Sequence, residues 1–214
     1  MEYNFTYNEL ALDDLKNVTN DMIETSWKDF DFGQCAVDDR RIQFVMNKYL
    51  GNESLKSTLE KCKIINSCYH ARVSNEHLSK LSEILNGNDI RKLIKDGEIK
   101  IVQKVAKISK EITGKYYYCF ITKYCSWHNP EAFPIFDNIV FRVLKLINIE
   151  HNFLLYRKGT QLEPNGGDDK NYYQNYVNVI KNSSKLFEAC PDINFRNIDR
   201  YFWMKGKTAM LQIK

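Results

Sequence analysis

Apolar residues recur at intervals of three and four along most of the chain, and strict alternation of apolar and polar residues is uncommon. Intervals of three and four place apolar residues on one face of an α-helix, whereas alternation would indicate a strand. The pattern therefore predicts an all-α fold, built as a compact helical domain. The predicted helices lie near residues 7–29, 38–49, 53–63, 75–86, 88–95, 98–112, 116–128, 138–148, 171–188 and 195–204.

Turn signals separate these helices. Gly87 and Gly97 each follow a helical pattern, which predicts C-caps of the glycine type. The helix before Pro130 must end there, because proline pushes the preceding residue out of the α region. The polar, glycine-rich segment 160–170 predicts a surface loop, with an active-site lid as the alternative.

The length of 214 residues fits a single domain, 1–214, and an arrangement of two helical lobes, 1–112 and 113–214, with a cleft between them is the alternative. No apolar run approaches the roughly 18 residues that a membrane span requires. The N-terminus also lacks the basic and apolar regions of a secretory signal. We therefore expect a soluble, cytoplasmic protein with no membrane partner.

The cysteine pattern argues against a metal centre. No two cysteines form a C-x-x-C pair, and no cysteine and histidine group has the spacing of a zinc site. In a cytoplasmic protein the thiols are expected to be reduced. We predict no metal and no cofactor. The six cysteines are Cys35, Cys62, Cys68, Cys119, Cys125 and Cys190.

Charge is distributed unevenly along the chain, although the formal net charge is only +4. Residues 1–33 carry eight acidic and two basic side chains, whereas residues 91–123 carry nine basic and three acidic ones. Such polarisation is expected of a protein whose one face meets a polyanion. A nucleic acid, with DNA favoured, is therefore the predicted partner.

The predicted helix 98–112 has two distinct faces. Its apolar face carries Ile101, Val105, Ile108 and Ile112. The opposite face carries Lys100, Lys104 and Lys107. This lysine stripe is either an ordinary solvated surface or a face that contacts nucleic-acid phosphates without reading the base sequence.

The predicted helix 116–128 carries a lysine at the edge of an apolar stripe. The stripe consists of Tyr117, Phe120, Ile121, Tyr124 and Trp127. Lys123 lies beside Trp127, half within the boundary of the core. One interpretation is that its stem is buried and its ammonium group reaches water. The other is that desolvation lowers the pKa of the amine, which then acts as a nucleophile.

A carboxylate follows at the start of the next helix. Residues 129–136 form a short, proline-bracketed link, and Asp137 stands directly before the apolar run of helix 138–148. Asp137 is predicted to be the N-cap of that helix. Because the link is short, Lys123 and Asp137 are expected to lie on neighbouring elements, where an amine and a carboxylate can form a nucleophile and acid/base pair.

The run 122–144, TKYCSWHNPEAFPIFDNIVFRVL, resembles the catalytic segment of the helix-hairpin-helix DNA glycosylases, in which a lysine on one helix precedes a proline-containing link and an aspartate at the head of the next helix. Together with residues 66–70 (NSCYH) and 198–207 (IDRYFWMKGK), it is similar to bacterial 8-oxoguanine DNA glycosylase-like proteins. The resemblance implies two helical lobes, a flipped base in the cleft, and cleavage of the N-glycosidic bond.

The resemblance also implies roles for individual residues. Lys123 would be the Schiff-base nucleophile, and Asp137 would stabilise positive charge on the sugar and assist deprotonation. The residues expected to contact the substrate are Trp127, His128, Arg142 and Trp203. Those expected to contact the nucleic acid are Lys100, Lys104, Lys107 and Lys115.

The chain departs from the glycosylase pattern at three points. The glycine hairpin that usually precedes the lysine is represented only by Gly114, and Ile139 stands where those enzymes have a histidine. Lys123 and Asp137 are 14 residues apart, several fewer than is usual in those enzymes. Two hypotheses therefore stand side by side: a DNA or nucleotide N-glycosylase or lyase, and a catalytically silent helical module that binds a nucleic acid or a nucleotide. A purely structural or protein-interaction domain is the third alternative.

Overall fold

The computed structural model describes residues 20–51, 53–151, 172–183 and 194–211. These residues form ten α-helices and no β-strand. The helices are α1 (Asn20–Phe32), α2 (Gln34–Lys48), α3 (Leu55–Cys68), α4 (Asn75–Leu85), α5 (Asn88–Lys95), α6 (Lys100–Thr113), α7 (Tyr118–His128), α8 (Asn138–His151), α9 (Tyr172–Ser183) and α10 (Phe195–Leu211).

The all-α prediction is confirmed, and the ten helices follow the predicted order. Helix α2 begins four residues before its predicted start, because Gly33 is extended and serves as its N-cap. The first half of the first predicted helix and the predicted loop 160–170 lie outside the described residues.

Local chemistry explains most helix ends. The Ser54 and Ser74 side chains each accept a hydrogen bond from a backbone N–H in the first turn of α3 and α4, respectively, as expected of N-caps. Gly97 has a φ of +76°, as predicted for a residue that ends a helix. Gly87 does not have a positive φ: its φ is −58°, and it is the N-cap of α5. The prediction of a glycine C-cap at that position is therefore wrong.

The helices enclose one continuous core. Helix α3 packs against α2, α4 and α7, helix α6 packs against α4, α7 and α9, and helix α10 packs against α1 and α8. A single cluster of buried apolar residues runs from Ile42 to Phe202 and includes side chains from both sides of residue 112. The division into two lobes at that residue stays a prediction.

The buried face of α6 differs from the predicted one. Val102, Ala106 and Ser109 are fully buried, whereas Ile112 is 46% exposed. Because α6 contacts four helices, α4, α5, α7 and α9, its buried arc is wider than one apolar stripe and is rotated away from Ile112. Lys100 and Lys104 are exposed on the other side, as the stripe predicts.

The structure also bears on membrane spans and on the state of the cysteines. Among the described helices, none combines the length and the apolar character needed to cross a membrane. The cysteines within the described ranges are free thiols, and Cys190 lies outside those ranges.

Candidate active site at Lys123 and Asp137

A cavity of about 590 Å³ opens between five parts of the chain. Its wall is built by α2, the turn between α3 and α4, α7, the start of α8, and α10. A volume of this size lies within the range of pockets that bind small molecules and nucleotides, roughly 300–1,000 Å³. Lys123, Asp137 and Asp199 all line it.

Lys123 and Asp137 form an ion pair in this wall. The Lys123 Nζ lies 3.1 Å from the Asp137 Oδ2, and Lys123 is only 4% exposed. The ammonium also lies 5.1 Å from the centre of the Tyr69 ring. The interpretation that the ammonium reaches bulk water is therefore wrong. Helix α7 is buried between α3, α5 and α6, so its lysine lies deeper than one apolar stripe suggests.

The protonation state of Lys123 also differs from the prediction. Burial by itself lowers the pKa of the amine, but the Asp137 carboxylate raises it, and the pKa ends above its ordinary value. The expectation of a desolvated, low-pKa amine is wrong, because the predicted acid/base partner lies within hydrogen-bond distance. In the resting protein Lys123 is an ammonium paired with a carboxylate.

The two carboxylate oxygens of Asp137 make different contacts. Its Oδ1 accepts a hydrogen bond of 2.8 Å from the backbone N–H of Ile139, which is in the first turn of α8. Its Oδ2 faces Lys123. The N-cap prediction is confirmed, and the cap holds the carboxylate in the orientation that meets the lysine.

The link between α7 and α8 is held by buried hydrogen bonds. The Phe136 N–H donates to the Thr122 hydroxyl at 3.1 Å. The Tyr173 and Tyr176 hydroxyls of α9 donate to two carbonyls of the link, at 2.6 and 2.7 Å. These bonds fix the path from one member of the pair to the other. The tyrosines were not among the predicted site residues, because their sequence distance from the link gives no signal.

Helix α10 is tied to α2 by arginines. The Arg200 guanidinium lies 2.7 Å from the Asp39 carboxylate, and that of Arg196 lies 3.8 Å from the same oxygen. The Arg196 guanidinium also lies 3.6 Å from the centre of the Trp127 ring. Trp127 donates its indole N–H to the Tyr69 hydroxyl at 3.2 Å. One face of Trp127 is therefore already covered.

Of the four residues predicted to contact the substrate, one lines the cavity and three do not. Trp203 lines it, with the Lys207 ammonium 5.1 Å from the centre of its ring. Trp127, His128 and Arg142 lie outside the wall: His128 is exposed at the end of α7, and Arg142 is half-buried in α8. Neither periodicity nor the resemblance distinguished these positions from Trp203.

None of the predicted phosphate-contacting lysines lines the cavity. Three lie on α6, which forms no part of the wall, and the fourth lies in the turn between α6 and α7. They are Lys100, Lys104, Lys107 and Lys115. The α6 face is thus a separate surface from the cavity.

Two basic side chains in the turn between α3 and α4 were not among the predicted site residues. His70 and Arg72 both line the cavity and both have positive φ angles, 47° and 56°. The Asn66 side chain holds this turn through two hydrogen bonds of 3.0 Å to the backbone of Val73. Non-glycine residues in this conformation are uncommon, and they concentrate at functional sites.

Asp199 was also missed as a site residue. Its Oδ1 is buried and has no hydrogen-bond partner within the described part of the chain. Burial, and then the Asp137 carboxylate, raise the pKa of Asp199 to about 8. The available signal was its helical register: Asp199 precedes Phe202 by three residues and Trp203 by four, so it shares their face.

Across the described residues, no group of three or more histidine, cysteine or acidic side chains is arranged to hold a metal ion. The chemistry of this wall includes that of a lysine amine, four aspartate carboxyl groups and aromatic rings. It can transfer protons and form a covalent bond through nitrogen.

Comparison with known proteins identifies the family. The chain is 28% identical over 166 residues to an uncharacterized protein of Haemophilus influenzae, and the match covers 77% of this chain and 74% of the relative. No solved structure matches the chain. Residues 19–132, more than half of the chain, match the model of the HI_0787 N-terminal domain family. The chain belongs to the HI_0787 N-terminal domain family.

Proposed function

We propose that this protein is a DNA or nucleotide N-glycosylase or lyase that resembles the helix-hairpin-helix DNA glycosylases. The observation that carries the proposal is the ion pair of Lys123 and Asp137, 3.1 Å apart, in the wall of a cavity of about 590 Å³. A buried lysine is costly unless its charge is used or compensated. Its position beside a carboxylate in an open cavity fits a nucleophile with a proton acceptor.

The ion pair determines the order of the proposed steps. The Asp137 carboxylate stabilises positive charge at C1′ of the sugar as the bond to the base breaks. Asp137 then takes a proton from the Lys123 ammonium, and the neutral amine attacks C1′. Opening of the sugar ring gives an imine between Lys123 and C1′. Because the resting amine is protonated, substrate binding must drive this proton transfer.

The cavity wall suits an extruded nucleotide. A base must leave the stacked duplex before C1′ can be reached. Tyr69 and Trp203 supply aromatic surface in the wall, against which a base can stack. His70, Arg72 and Lys207 supply groups that can approach a phosphate.

A silent binding module is the second candidate, and one observation favours it. The pKa of Lys123 is raised, so the ion pair already satisfies both charges without a substrate. In such a module the pair would hold α7 against α8, and the cavity would bind a nucleotide without breaking a bond.

Borohydride trapping tests the enzyme proposal. The purified protein is incubated with duplex oligonucleotides that contain uracil, 8-oxoguanine, 3-methyladenine or an abasic site, and borohydride reduces any imine to a stable crosslink. We expect crosslinking to the abasic duplex by the unaltered protein and its loss in Lys123→Gln. The matched control is Lys61→Gln, because Lys61 is also buried, at 8% exposure, but lies outside the cavity wall.

The controls distinguish the two candidates. The pKa of Lys61 is lowered by burial, so a crosslink that depends on Lys61 would identify a different amine as the nucleophile. A crosslink that persists in both variants would also remove Lys123 from the proposed role. If the unaltered protein forms no crosslink and releases no base, the binding module is the better description.

A further inference from the structure

Asp199 is an ionisable group of the cavity wall that the mechanism above does not use. It lies on α10 and lines the same wall as Lys123 and Asp137. Its Oδ1 is buried and accepts no hydrogen bond from the described residues, although buried oxygens are nearly always paired. An oxygen left without a partner beside a cavity is suited to a group that enters from the cavity.

The charges around Asp199 favour its neutral form. Asp137 and Asp39 both raise the pKa of Asp199, whereas Lys123 and Arg196 lower it, and burial has the largest effect. The resulting pKa of about 8 keeps the carboxylic acid protonated at neutral pH. Burial raises the pKa of the Tyr69, Tyr173 and Tyr176 hydroxyls, and the Asp199 charge adds a smaller increase.

We infer that Asp199 is the general acid that protonates the departing base, an inference that rests on the proposed glycosylase activity. Lys123 and Asp137 act on the sugar, so a second group must supply a proton to the base. A carboxylic acid that lines the same cavity, with one oxygen that has no hydrogen-bond partner among the described residues, can supply it.

The step balances as follows. The C1′–N bond to the base breaks, and its electron pair stays on the base nitrogen. The proton of the Asp199 carboxylic acid moves to uracil or 8-oxoguanine, which would otherwise leave as an anion, and the base leaves as a neutral molecule. Lys123, whose proton has passed to Asp137, forms the new bond from its nitrogen to C1′. Asp199 remains as a carboxylate and recovers a proton from solvent.

Removal of a base and reaction at an abasic site make different demands on this acid. An abasic site already has an aldehyde at C1′, so Lys123 forms an imine there with no base to protonate. Asp199→Asn should therefore slow the release of uracil and 8-oxoguanine by about 10²- to 10⁴-fold while crosslinking to the abasic duplex is retained. The matched control is Asp38→Asn, since Asp38 lies in the same wall but is paired with Arg41 at 3.2 Å.

Two pH measurements separate an acid from a structural residue. Base release by the unaltered protein should fall as pH rises through about 8, where Asp199 loses its proton. A raised folded-state pKa contributes stability at low pH that is lost as pH rises through that pKa. The melting temperature of Asp199→Asn, compared with that of the unaltered protein, should therefore increase between pH 5 and pH 9.

Base release and crosslinking together distinguish a general acid at Asp199 from the alternatives. Loss of base release with crosslinking retained supports the inference. Equal base release in Asp199→Asn overturns it, and so does loss of both activities in a folded variant, because Asp199 would then serve Lys123. An unaltered protein that crosslinks abasic DNA but releases neither uracil nor 8-oxoguanine leaves Asp199 no base to protonate and overturns the inference alone. Absence of both crosslinking and base release in the unaltered protein overturns the proposed function itself.

Discussion

The charge on Lys123 is stable in its buried position only because Asp137 lies 3.1 Å away. A capping aspartate alone contributes about 1 kcal/mol, and asparagine replaces it with little loss. Removing one member of a buried ion pair costs more, about 3–5 kcal/mol, because the remaining charge has no compensation. The ion pair therefore dominates the contribution of Asp137 to stability.

We expect Asp137→Asn to lower the free energy of unfolding by about 3 kcal/mol, and Asp137→Ala by about 1 kcal/mol more because the cap is also lost. Urea denaturation measures both values. The control is Asp137→Asn in a Lys123→Met background, where no charge is left unpaired and most of the loss should disappear. An equal loss in both backgrounds would show that the ion pair contributes nothing.

Site residues could be predicted where the evidence for them lies within one short segment of the sequence. Lys123 and Asp137 were found because both lie in one short segment of sequence with a helix end between them. Asp199 and Arg72 reach the same cavity from other elements, and only tertiary packing brings them there. The sign of the Lys123 pKa shift was missed for the same reason, since it depends on the distance to Asp137.

At the scale of elements, Gly206 sets how closely α10 approaches α8. A β-carbon at this position would lie 2.3 Å from the Ile139 Cγ2 and 2.9 Å from the Val143 Cγ2, much closer than any real contact. We expect Gly206→Ala to lower the free energy of unfolding by about 1–3 kcal/mol through overpacking, despite the better helix propensity of alanine. Thermal unfolding measures the change.

A compensating substitution tests that explanation of Gly206. Ile139→Ala removes the closest atom, so the added cost of Gly206→Ala should become smaller in the Ile139→Ala background. If the two costs simply add, the close approach at Ile139 does not determine the effect.

The lysine face of α6 is a second element whose role can be measured. Lys100 and Lys104 are exposed, Lys107 is half-buried, and none lines the cavity. If this face contacts phosphates, replacing all three by glutamine should lessen the slope of log affinity against log salt by about 2 to 3 units. Binding of a fluorescent duplex over a range of salt concentrations gives the slope.

The control for this experiment changes the net charge equally. It replaces three exposed lysines of α2 and α3 by glutamine: Lys48, Lys56 and Lys63. An equal slope in the α6 variant and the unaltered protein would assign that face to solvent. An equal decrease in both variants would indicate a general charge effect.

Helix positions were predictable to a greater extent than helix faces. Caps and glycine or proline breaks are local signals, so most ends lie within a few residues of their predicted positions. Periodicity assumes one buried side, whereas α7 is buried almost all round from Tyr118 to Ser126. No single-stripe pattern predicts the number of helices that surround a given helix.

At the scale of the whole molecule, the family match covers only part of the candidate site. The match to the HI_0787 N-terminal domain family covers residues 19–132, which include Lys123 but neither Asp137 nor Asp199. The matched segment therefore holds the proposed nucleophile but neither of the two carboxyl groups proposed to transfer protons. The core extends beyond the matched segment, because buried side chains from α8, α9 and α10 join the cluster that contains α3, α6 and α7.

The last prediction is that a fragment of residues 1–132 does not fold cooperatively by itself. The fragment would lack fully buried aromatic side chains of the common core: Tyr172, Tyr173, Tyr176, Tyr201 and Phe202. Each large buried side chain contributes about 1.5–3 kcal/mol, so their loss is comparable to the whole stability of a domain, about 5–15 kcal/mol. The Lys123 ammonium would also lose its carboxylate, which adds a further cost of burial.

Denaturation of the fragment, followed by circular dichroism, tests this expectation. We expect partial helicity with a broad transition, because isolated helices of this length are marginal in water. Addition of a second fragment, residues 133–214, should restore a sharp transition if the core requires both parts. The full-length chain is the control for the shape of the transition. A sharp transition in residues 1–132 alone would mean that the matched segment is an independent domain, and that the cavity forms between two folded units rather than within one core.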